Sequence, residues 1–425
     1  MSLEYINLKY KPQADDLIAE YYVEPDGISI EKACEHLAAE SSIGTWTDIS
    51  TMSPRIARRL KPNVYSINHN TKEVKIAYTA DLFEPGNMAQ IWSAIAGNIF
   101  GMKAIKNLRL QDIHFPKSIV KSFRGPRHGI EGIKNLTKVY NRPLVGTIVK
   151  PKVGLNEEEH AKVAYEAWVG GLDVVKDDEN LTSMSFNNFQ KRIVKTLALR
   201  DMAERITGEK KIYMPNITAE TAEMLRRANF VKAHGGEYIM VDILTCGWSG
   251  LQTVREHGEK SGLIIHAHRA MHAALTRNPN HGISMMAIAK SARLIGVDQL
   301  HIGTAAVGKM HGGRSEELAL EEEMEHMRMN DDFHHNILRQ DWFGIKPVLA
   351  VASGGLSPLS TPKLLKIMGK NIVAQYGGGC HGHPDGTRAG AMAIRQSLDA
   401  TLKGISLKAY AETHKELQRA LETWS

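Results

Sequence analysis

The sequence predicts an α/β chain: a (β/α)8 barrel preceded by a small α+β domain of ferredoxin-like order. Two patterns carry the prediction. From about residue 126 onward, short apolar runs alternate with helical periodicity eight times in about 250 residues, the signature of a barrel of parallel strands. Before about residue 125 the order is strand-helix-strand-strand-helix-strand, that of a ferredoxin-like sheet. A third observation agrees with them: charged and glycine residues gather where the barrel strands should end. A doubly wound open sheet shares the alternation, because periodicity does not establish closure.

In the first domain, residues 1–125, positions 16–25 alternate as a strand. Ser29 is placed to cap a helix running to about Ala39. Val64–Ile67 and Val74–Tyr78 read as a hairpin around Asn68-His69-Asn70-Thr71. Met88, Ile91, Trp92 and Ile95 lie at i, i+3, i+4 and i+7, a helix with one buried face. Residues 107–115 return to strand. In the second domain, residues 126–425, the strand candidates are 144–150, 173–178, 211–217, 238–244, 263–268, 299–303, 347–352 and 372–376. Between them, Asn156 and Glu159 form a capping pair before Ala164, Ala167 and Trp168, and Met285, Ile288, Ala289 and Ala292 mark one helix face. Glu316–Asp332 reads as an acidic helical region with a solvated face. From about Arg388 the chain is helical and packs on the barrel.

Composition narrows the function. The chain has 425 residues, 43% hydrophobic and 24% charged, enough for two cored domains. No apolar run approaches a membrane span, and the acidic, polar start is unlike a signal peptide. Cys34, Cys246 and Cys380 are odd in number and widely spaced, as in a reducing cytosol. The net charge of +6 comes from scattered residues without aromatic-basic interleaving, so a basic pocket for an anionic small substrate fits better than nucleic acid.

Barrel chemistry sits at the carboxyl ends of the strands. The first strand ends in Lys150-Pro151-Lys152, and the second in Lys176-Asp177-Asp178-Glu179. The third ends at Asn216 and the fourth carries Asp242. The fifth ends in His266-Ala267-His268-Arg269, and the sixth in His301-Ile302-Gly303-Thr304, with Lys309 on the loop beyond. The seventh ends in Ser353-Gly354-Gly355 and the eighth in Gln375-Tyr376-Gly377-Gly378. The acidic cluster beside a lysine suits a hard cation such as Mg²⁺, or else a solvated strand end. The two glycine runs suit a phosphate, or else tight turns. Arg269 and His301 suit a second anion, or a structural salt bridge. His266, His268 and His272 raise zinc, but no cysteine stands near, and a catalytic His268 with an inner His266 fits better. Lys309 suits a cationic lid, or an exposed surface lysine.

At these residues the sequence resembles the large subunit of ribulose-1,5-bisphosphate carboxylase/oxygenase, RuBisCO. The resemblance is colinear from Glu40 through Gly379. It is carried by Gly170-Gly171-Leu172-Asp173-Val174-Val175-Lys176-Asp177-Asp178-Glu179, by His266-Ala267-His268-Arg269-Ala270-Met271-His272, by Gln340-Asp341-Trp342 and by Ser353-Gly354-Gly355. It implies that Lys176 is carbamylated by CO₂ and, with Asp178 and Glu179, ligates one Mg²⁺. The carbamate would remove the C3 proton of ribulose 1,5-bisphosphate, and Mg²⁺ would stabilise the enediolate. Lys150 would transfer a proton at C2, with Lys152 beside it; His268 would handle protons on the substrate hydroxyls; Lys309 would close over the site. Arg269, His301 and Ser353 would bind one phosphate. Thr45, Trp46, Lys309, Gly355, Gly377 and Gly378 would bind the other, with Gly354 and Gln375 at the same strand ends. Glu40, Thr45, Trp46 and Asn98 would reach the partner's barrel in a homodimer with shared sites, which leaves larger rings of dimers open and expects no small subunit.

The expected reaction is carboxylation by CO₂ to two 3-phosphoglycerates, with an O₂ side reaction, in the cytoplasm. Ile148 stands where plant forms carry threonine. The loop from Gly303 to His311 is one residue longer than theirs and lacks their Leu-Glu after the lysine, and the sequence as read stops short of the long tail that latches the lid in plant forms. These features resemble archaeal form III, whose context is AMP and nucleotide salvage. The alternative is a RuBisCO-like enolase or isomerase acting on a related sugar phosphate. Such proteins typically lose several of the lysines and the lid, whereas Lys150, Lys152, Lys176, His268, Arg269, His301 and Lys309 are all present. A non-enzymatic phosphate-binding or scaffold barrel would have no use for the proton-transfer residues.

Overall fold

The computed structural model describes residues 3–45, 49–308 and 313–424. Among them fifteen strands follow in chain order: β1 (Asp16–Pro25), β2 (Asn63–Asn68), β3 (Glu73–Thr79), β4 (Ile105–His114), β5 (Leu144–Ile148), β6 (Val174–Lys176), β7 (Ile212–Met214), β8 (Tyr238–Asp242), β9 (Ile264–His268), β10 (Gly282–Ile283), β11 (Gln299–His301), β12 (Arg328–Met329), β13 (Gln340–Asp341), β14 (Leu349–Ser353) and β15 (Ile372–Gln375). The chain divides into two compact units. One comprises Met1–Gly125, Met271–Gly296 and His326–Ile345; the other comprises Pro126–Ala270, Val297–Glu325 and Lys346–Ser425.

The first unit is built on a sheet of order β10-β4-β1-β3-β2. Its β1–β4 pairings are antiparallel, which gives the ferredoxin-like core, and β10 adds a short parallel edge to β4. Ser29 caps the helix Ile30–Glu40 by accepting from the Lys32 amide at 3.2 Å. The Asn68 side chain closes the β2–β3 turn by accepting from the amides of Asn70 and Thr71. Met88, Ile91, Trp92 and Ile95 are the buried residues of the helix Met88–Ile95, as the spacing predicts. The helix Met285–Ile295 differs from expectation: all eleven of its residues are buried, not one face. Its polar members are satisfied inside the unit. Lys290 donates to Asp112 at 2.6 Å and to the Leu338 carbonyl at 3.0 Å, and Ser291 accepts from the Trp92 indole at 3.0 Å.

The second unit is a near-closed barrel. Eight strands follow the order β7-β6-β5-β15-β14-β11-β9-β8, the paired strands are parallel, and an Asn216–Met240 bridge links the two ends. Each predicted barrel strand has its counterpart. The interior holds Leu144, Val174, Ile212, Met214, Tyr238, Ile264, Leu349, Val351 and Val373, and Ile130 and Ile133 of the helix Gly129–Thr137 pack against them. Branched side chains drawn from most of the strands fill the barrel as a packed core rather than a pore. Asp298 ties the lower end by accepting from the amides of His128, Gly129 and Ile265. The Asn156–Glu159 capping box forms as expected, and the helices Gly386–Leu402 and Lys415–Trp424 are joined through Gln396 and Glu416 at 2.8 Å.

The acidic stretch from residue 316 is not a solvated face. The helix Arg314–Glu325 buries Glu317, Glu321 and Glu323, and β12 then pairs with β13. Burial is tolerated because the carboxyls find partners or give up their charge. Glu317 accepts from the Ala306 amide at 3.3 Å. Burial, together with Glu325 and Glu322, pushes the Glu321 carboxyl up to about 8.

Candidate active site

β6 stops at Lys176, which stands in register with Ile148 of β5 and Met214 of β7. Its side chain is fully buried; the amine donates to the Asp177 carbonyl at 2.8 Å, touches the Met240 sulfur at 3.1 Å and lies 3.8 Å from Glu179 Oε2. Burial lowers its pKa from the usual lysine value, against the opposing pull of Glu179, Asp242, Asp178 and Asp177.

The three acids that follow divide between two environments. Asp177 turns away from the mouth. It accepts from Tyr213 at 2.7 Å, from the Asn216 amide at 3.0 Å and from Arg192 Nε at 3.2 Å, with His160 at 3.1 Å. Asp178 and Glu179 face the lysines instead. Lys150 donates to Asp178 at 2.7 Å, and Lys152 lies 4.0 Å from Glu179. Burial works to raise both carboxyls, but Lys150 holds Asp178 below the usual range, and Lys176 and His268 do the same for Glu179. Asn216 fastens the turn by donating to the Glu179 carbonyl at 3.1 Å.

The histidines form a second layer. His268 Nδ1 donates to Asp242 at 2.8 Å, and its Nε2 lies 3.7 Å from Glu179 Oε2. His266 joins Gln299 at 2.8 Å and His301 at 2.9 Å. Burial holds His266 down to about 3 and His301 well below the usual value, so both rings are neutral near pH 7. Both nitrogens of His266 and Nδ1 of His268 are engaged in hydrogen bonds within the protein. Among the described residues no group of three or more His, Cys, Asp or Glu is arranged to hold a metal. Arg269 is pushed down to about 10 by burial, with Glu317 and Glu316 opposing.

β14 ends at Ser353, the register partner of Gln375 on β15. Gly354 and Gly355 follow with φ of 133° and 73°, conformations that favour glycine. A Cβ on Gly377 would meet Lys150 Cε at 3.6 Å, and one on Gly378 would point into open space. Gln375 is fully buried, and neither polar atom of its carboxamide has a hydrogen-bond partner among the described residues. A buried amide in that state is costly unless a ligand engages it. The barrel therefore brings Lys150, Lys176, Asp178, Glu179 and His268 into one chain of contacts, and sets Ser353 and Gln375 side by side.

In the other unit, Asn98 donates to Glu40 at 3.4 Å and Thr45 is exposed. Trp46 and Lys309 lie outside the described residues.

The family model described as "Ribulose bisphosphate carboxylase large chain, N-terminal domain" matches residues 4–119, and that of the catalytic domain matches 129–424. The chain belongs to the RuBisCO large-chain family. A ribulose bisphosphate carboxylase of Methanosarcina mazei is 54% identical over 426 residues, 100% of this chain and 99% of the relative. That of Methanocaldococcus jannaschii is 53% identical, covering 99% of this chain and 100% of the relative. Among solved structures, the octameric Rubisco of Pyrococcus horikoshii OT3 in complex with sulfate ion has a TM-score of 0.91 at 48% identity, covering 99% of this chain and 96% of that one. The dimeric archaeal Rubisco of Hyperthermus butylicus has 0.93 at 45%, covering 99% and 98%.

Around the residues that carry the RuBisCO resemblance the structure adds others. Asp242 and Asn216 stood out only as polar strand ends; their partners are His268 and the Asp178–Glu179 backbone. Asp177 is indistinguishable from its acidic neighbours in sequence. Thr147 and His381 gave no signal, since a threonine in a strand and a histidine in a glycine-rich turn are ordinary.

Proposed function

We propose that this chain is a Mg²⁺-dependent carboxylase that adds CO₂ to ribulose 1,5-bisphosphate and yields two 3-phosphoglycerates, with O₂ as a competing substrate. The observation that carries this reading is the fully buried Lys176 amine, 3.8 Å from Glu179 and beside Asp178, at the mouth of a parallel barrel in a RuBisCO-family chain. The donor set fits the metal. Asp178 and Glu179 supply two anionic oxygens, and a carbamate on Lys176 would supply the third that a hard divalent cation needs. The lowered pKa of Lys176 favours the neutral amine that attacks CO₂. When bound there, Mg²⁺ would act as a Lewis acid toward substrate oxygens.

In this reading carbamylated Lys176 takes the C3 proton and Lys150, held at Asp178, serves C2. His268, whose Nδ1 proton is fixed by Asp242, presents Nε2 to the substrate hydroxyls. Lys152 and Lys309 add positive charge. Arg269, His301 and Ser353 hold one phosphate; Thr45, Trp46, Gly355, Gly377 and Gly378 hold the other, with Gly354 and Gln375 completing that wall. Glu40, Thr45, Trp46 and Asn98 act on the partner's barrel in a homodimer without a small subunit, the unit from which larger rings of dimers can be built. Relatives described as dimeric and octameric support dimer-based assembly. Likeness to archaeal relatives supports a place in nucleotide salvage fed from AMP. No helix among the described residues is long and apolar enough to cross a membrane, which agrees with a cytoplasmic site of action.

The test is anaerobic fixation of labelled CO₂ with ribulose 1,5-bisphosphate after preincubation with CO₂ and Mg²⁺. Acid-stable label should appear in 3-phosphoglycerate, and Lys176→Ala should abolish it with the fold intact. No fixation by the parent chain, or normal turnover by Lys176→Ala, would reject the reading.

A further inference from the structure

β5, which leads to Lys150, and the glycine turn after β15 are joined by a short chain of side chains. Thr147 is fully buried, and its hydroxyl lies 2.8 Å from the Tyr376 carbonyl and 2.8 Å from His381 Nε2. A carbonyl only accepts, so the single hydroxyl proton goes to Tyr376. His381 Nε2 must then be the donor to Thr147 Oγ1. The other ring nitrogen, Nδ1, therefore accepts, and Thr387 Oγ1 stands 3.0 Å away to supply that proton. The directions are mutually consistent for one neutral tautomer. Burial, reinforced by the nearby Lys150 and opposed by the Ile148 backbone, lowers the ring to about 4, so it stays neutral near pH 7.

Tyr376 is held from every side. Its amide donates to the Gly146 carbonyl at 2.8 Å, its carbonyl accepts from Thr147, and its phenol meets Thr361 at 2.8 Å. The next residue is Gly377, whose carbonyl accepts from the Cys380 and His381 amides. A Cβ on Gly377 would touch the Lys150 stem at 3.6 Å. The backbone of the glycine pair is thus set against the Lys150 side chain through Thr147 on one side and His381 on the other.

We propose that Thr147 and His381 are positioning residues that fix the Gly377–Gly378 turn relative to Lys150, so that a phosphate group bound by the turn's backbone amides is registered against the proton-transfer lysine. The proposal rests on the reading that this turn binds a substrate phosphate. Neither side chain touches the substrate; both act through Tyr376 and Gly377. Removing either leaves the other with an unpaired polar group in a buried setting and frees the turn to shift. Loss of one such hydrogen bond, about 0.5–1.5 kcal/mol net, corresponds to affinity roughly three- to tenfold weaker.

The experiment measures binding of ribulose 1,5-bisphosphate and of inorganic phosphate by calorimetry, together with steady-state carboxylation, for Thr147→Val, Thr147→Ser, His381→Leu, His381→Gln and the Thr147→Val/His381→Leu double variant. Expected are dissociation constants and KM raised roughly three- to tenfold in the Val and Leu variants with kcat within about twofold. Rescue is expected in Ser and Gln, which restore the hydroxyl and the N–H donor. The double variant should be no weaker than the worse single, since the two act as one unit. His381 is partly exposed, so His381→Leu remains informative if Thr147→Val does not fold. Unchanged phosphate affinity in His381→Leu, equal losses in Ser and Val, or additive losses in the double variant would overturn the proposal. Calorimetry needs no turnover. A chain that binds phosphate in this pattern yet fixes no CO₂ would defeat the carboxylase reading and leave this one standing.

Discussion

Replacing Asp177 by asparagine should cost far more stability than the same change at Asp178, although the two are adjacent and equally acidic. Asp177 is fully buried and surrounded by Tyr213 at 2.7 Å, the Asn216 amide at 3.0 Å and the Arg192 guanidinium at 3.1 and 3.2 Å, all donating to it, with His160 Nε2 3.1 Å away. Burial alone would raise this carboxyl; Arg192 foremost, then His160 and Tyr213, hold it well below the usual range. Asparagine keeps the shape but removes the charge opposite a buried Arg192 and turns an NH₂ toward groups that also donate. Breaking a buried pair from one side costs about 3–5 kcal/mol. Asp178 instead faces Lys150, whose side chain is 27% exposed and can rehydrate, so Asp178→Asn should cost only about 1–2 kcal/mol. The assay is urea denaturation of the parent and both variants at pH 7. The sign with pH is fixed: a depressed carboxyl contributes stability that is present above its unfolded pKa of about 3.9 and is lost as pH falls through the lower folded value. The gap between parent and Asp177→Asn should therefore narrow below about pH 4. An Asp177→Asn variant within about 1 kcal/mol of the parent, or less affected than Asp178→Asn, would refute the division of roles.

Further outcomes follow from the same reasoning. Glu20 is raised to about 7, chiefly by burial, so its contribution is intact below its unfolded pKa and disappears as pH rises through about 7. Glu20→Gln should be more stable than the parent at pH 8 by about 3 kcal/mol, and the difference should vanish near pH 4, read by denaturation at both values. Glu321→Gln should behave alike with its midpoint shifted to about 8. Lys309→Ala should lose most carboxylation yet retain C3 proton exchange, followed by solvent-deuterium incorporation; loss of exchange as well would give the lysine an earlier role. Mg²⁺ affinity measured by calorimetry should rise at least about a hundredfold when bicarbonate is present, and Lys176→Ala should show no such increase.

The barrel is legible because most of its strands are short apolar runs, buried on both faces and followed by helical periodicity. The polar strand ends were legible for the converse reason: lysines, acids and glycines have no place in such a run unless something uses them. Three features were not. The orientation of Asp177 depends on β6 ending at Lys176, where the alternation of faces that would have sorted the acids stops. The helix Met285–Ile295 shows an apolar stripe, but Lys290, Ser291 and Arg293 on its other faces are buried too, and sequence cannot reveal their partners. β10, which joins residues beyond 270 to the ferredoxin-like sheet, is two residues long and too short for any period to appear. In the acidic helix charge does not imply exposure, because Glu317, Glu321 and Glu323 are buried. Glu317 lies so close to the backbone that a Cβ on Gly303 would meet its Oε1 at 1.8 Å, which makes that glycine part of why the carboxylate can be buried.

The charges at the mouth explain why the proposed chemistry turns on Lys176 rather than on the acids. Asp178 is paired with Lys150 at 2.7 Å, and Glu179 lies 3.8 Å from Lys176 and 4.0 Å from Lys152. A divalent ion entering among them would meet carboxylates already opposed by cations. At an effective dielectric of 20, two unit charges about 4 Å apart interact by about 4 kcal/mol, and a doubly charged ion feels about twice that from a protonated Lys176. Lys150 and Lys152 are partly exposed, so they can turn toward water or a substrate phosphate. Lys176 is fully buried and cannot. Its charge must change where it stands. Loss of the proton removes the repulsion, and conversion to an anion replaces it with attraction of similar size, which is the step that would turn two neutralised acids into a cation site.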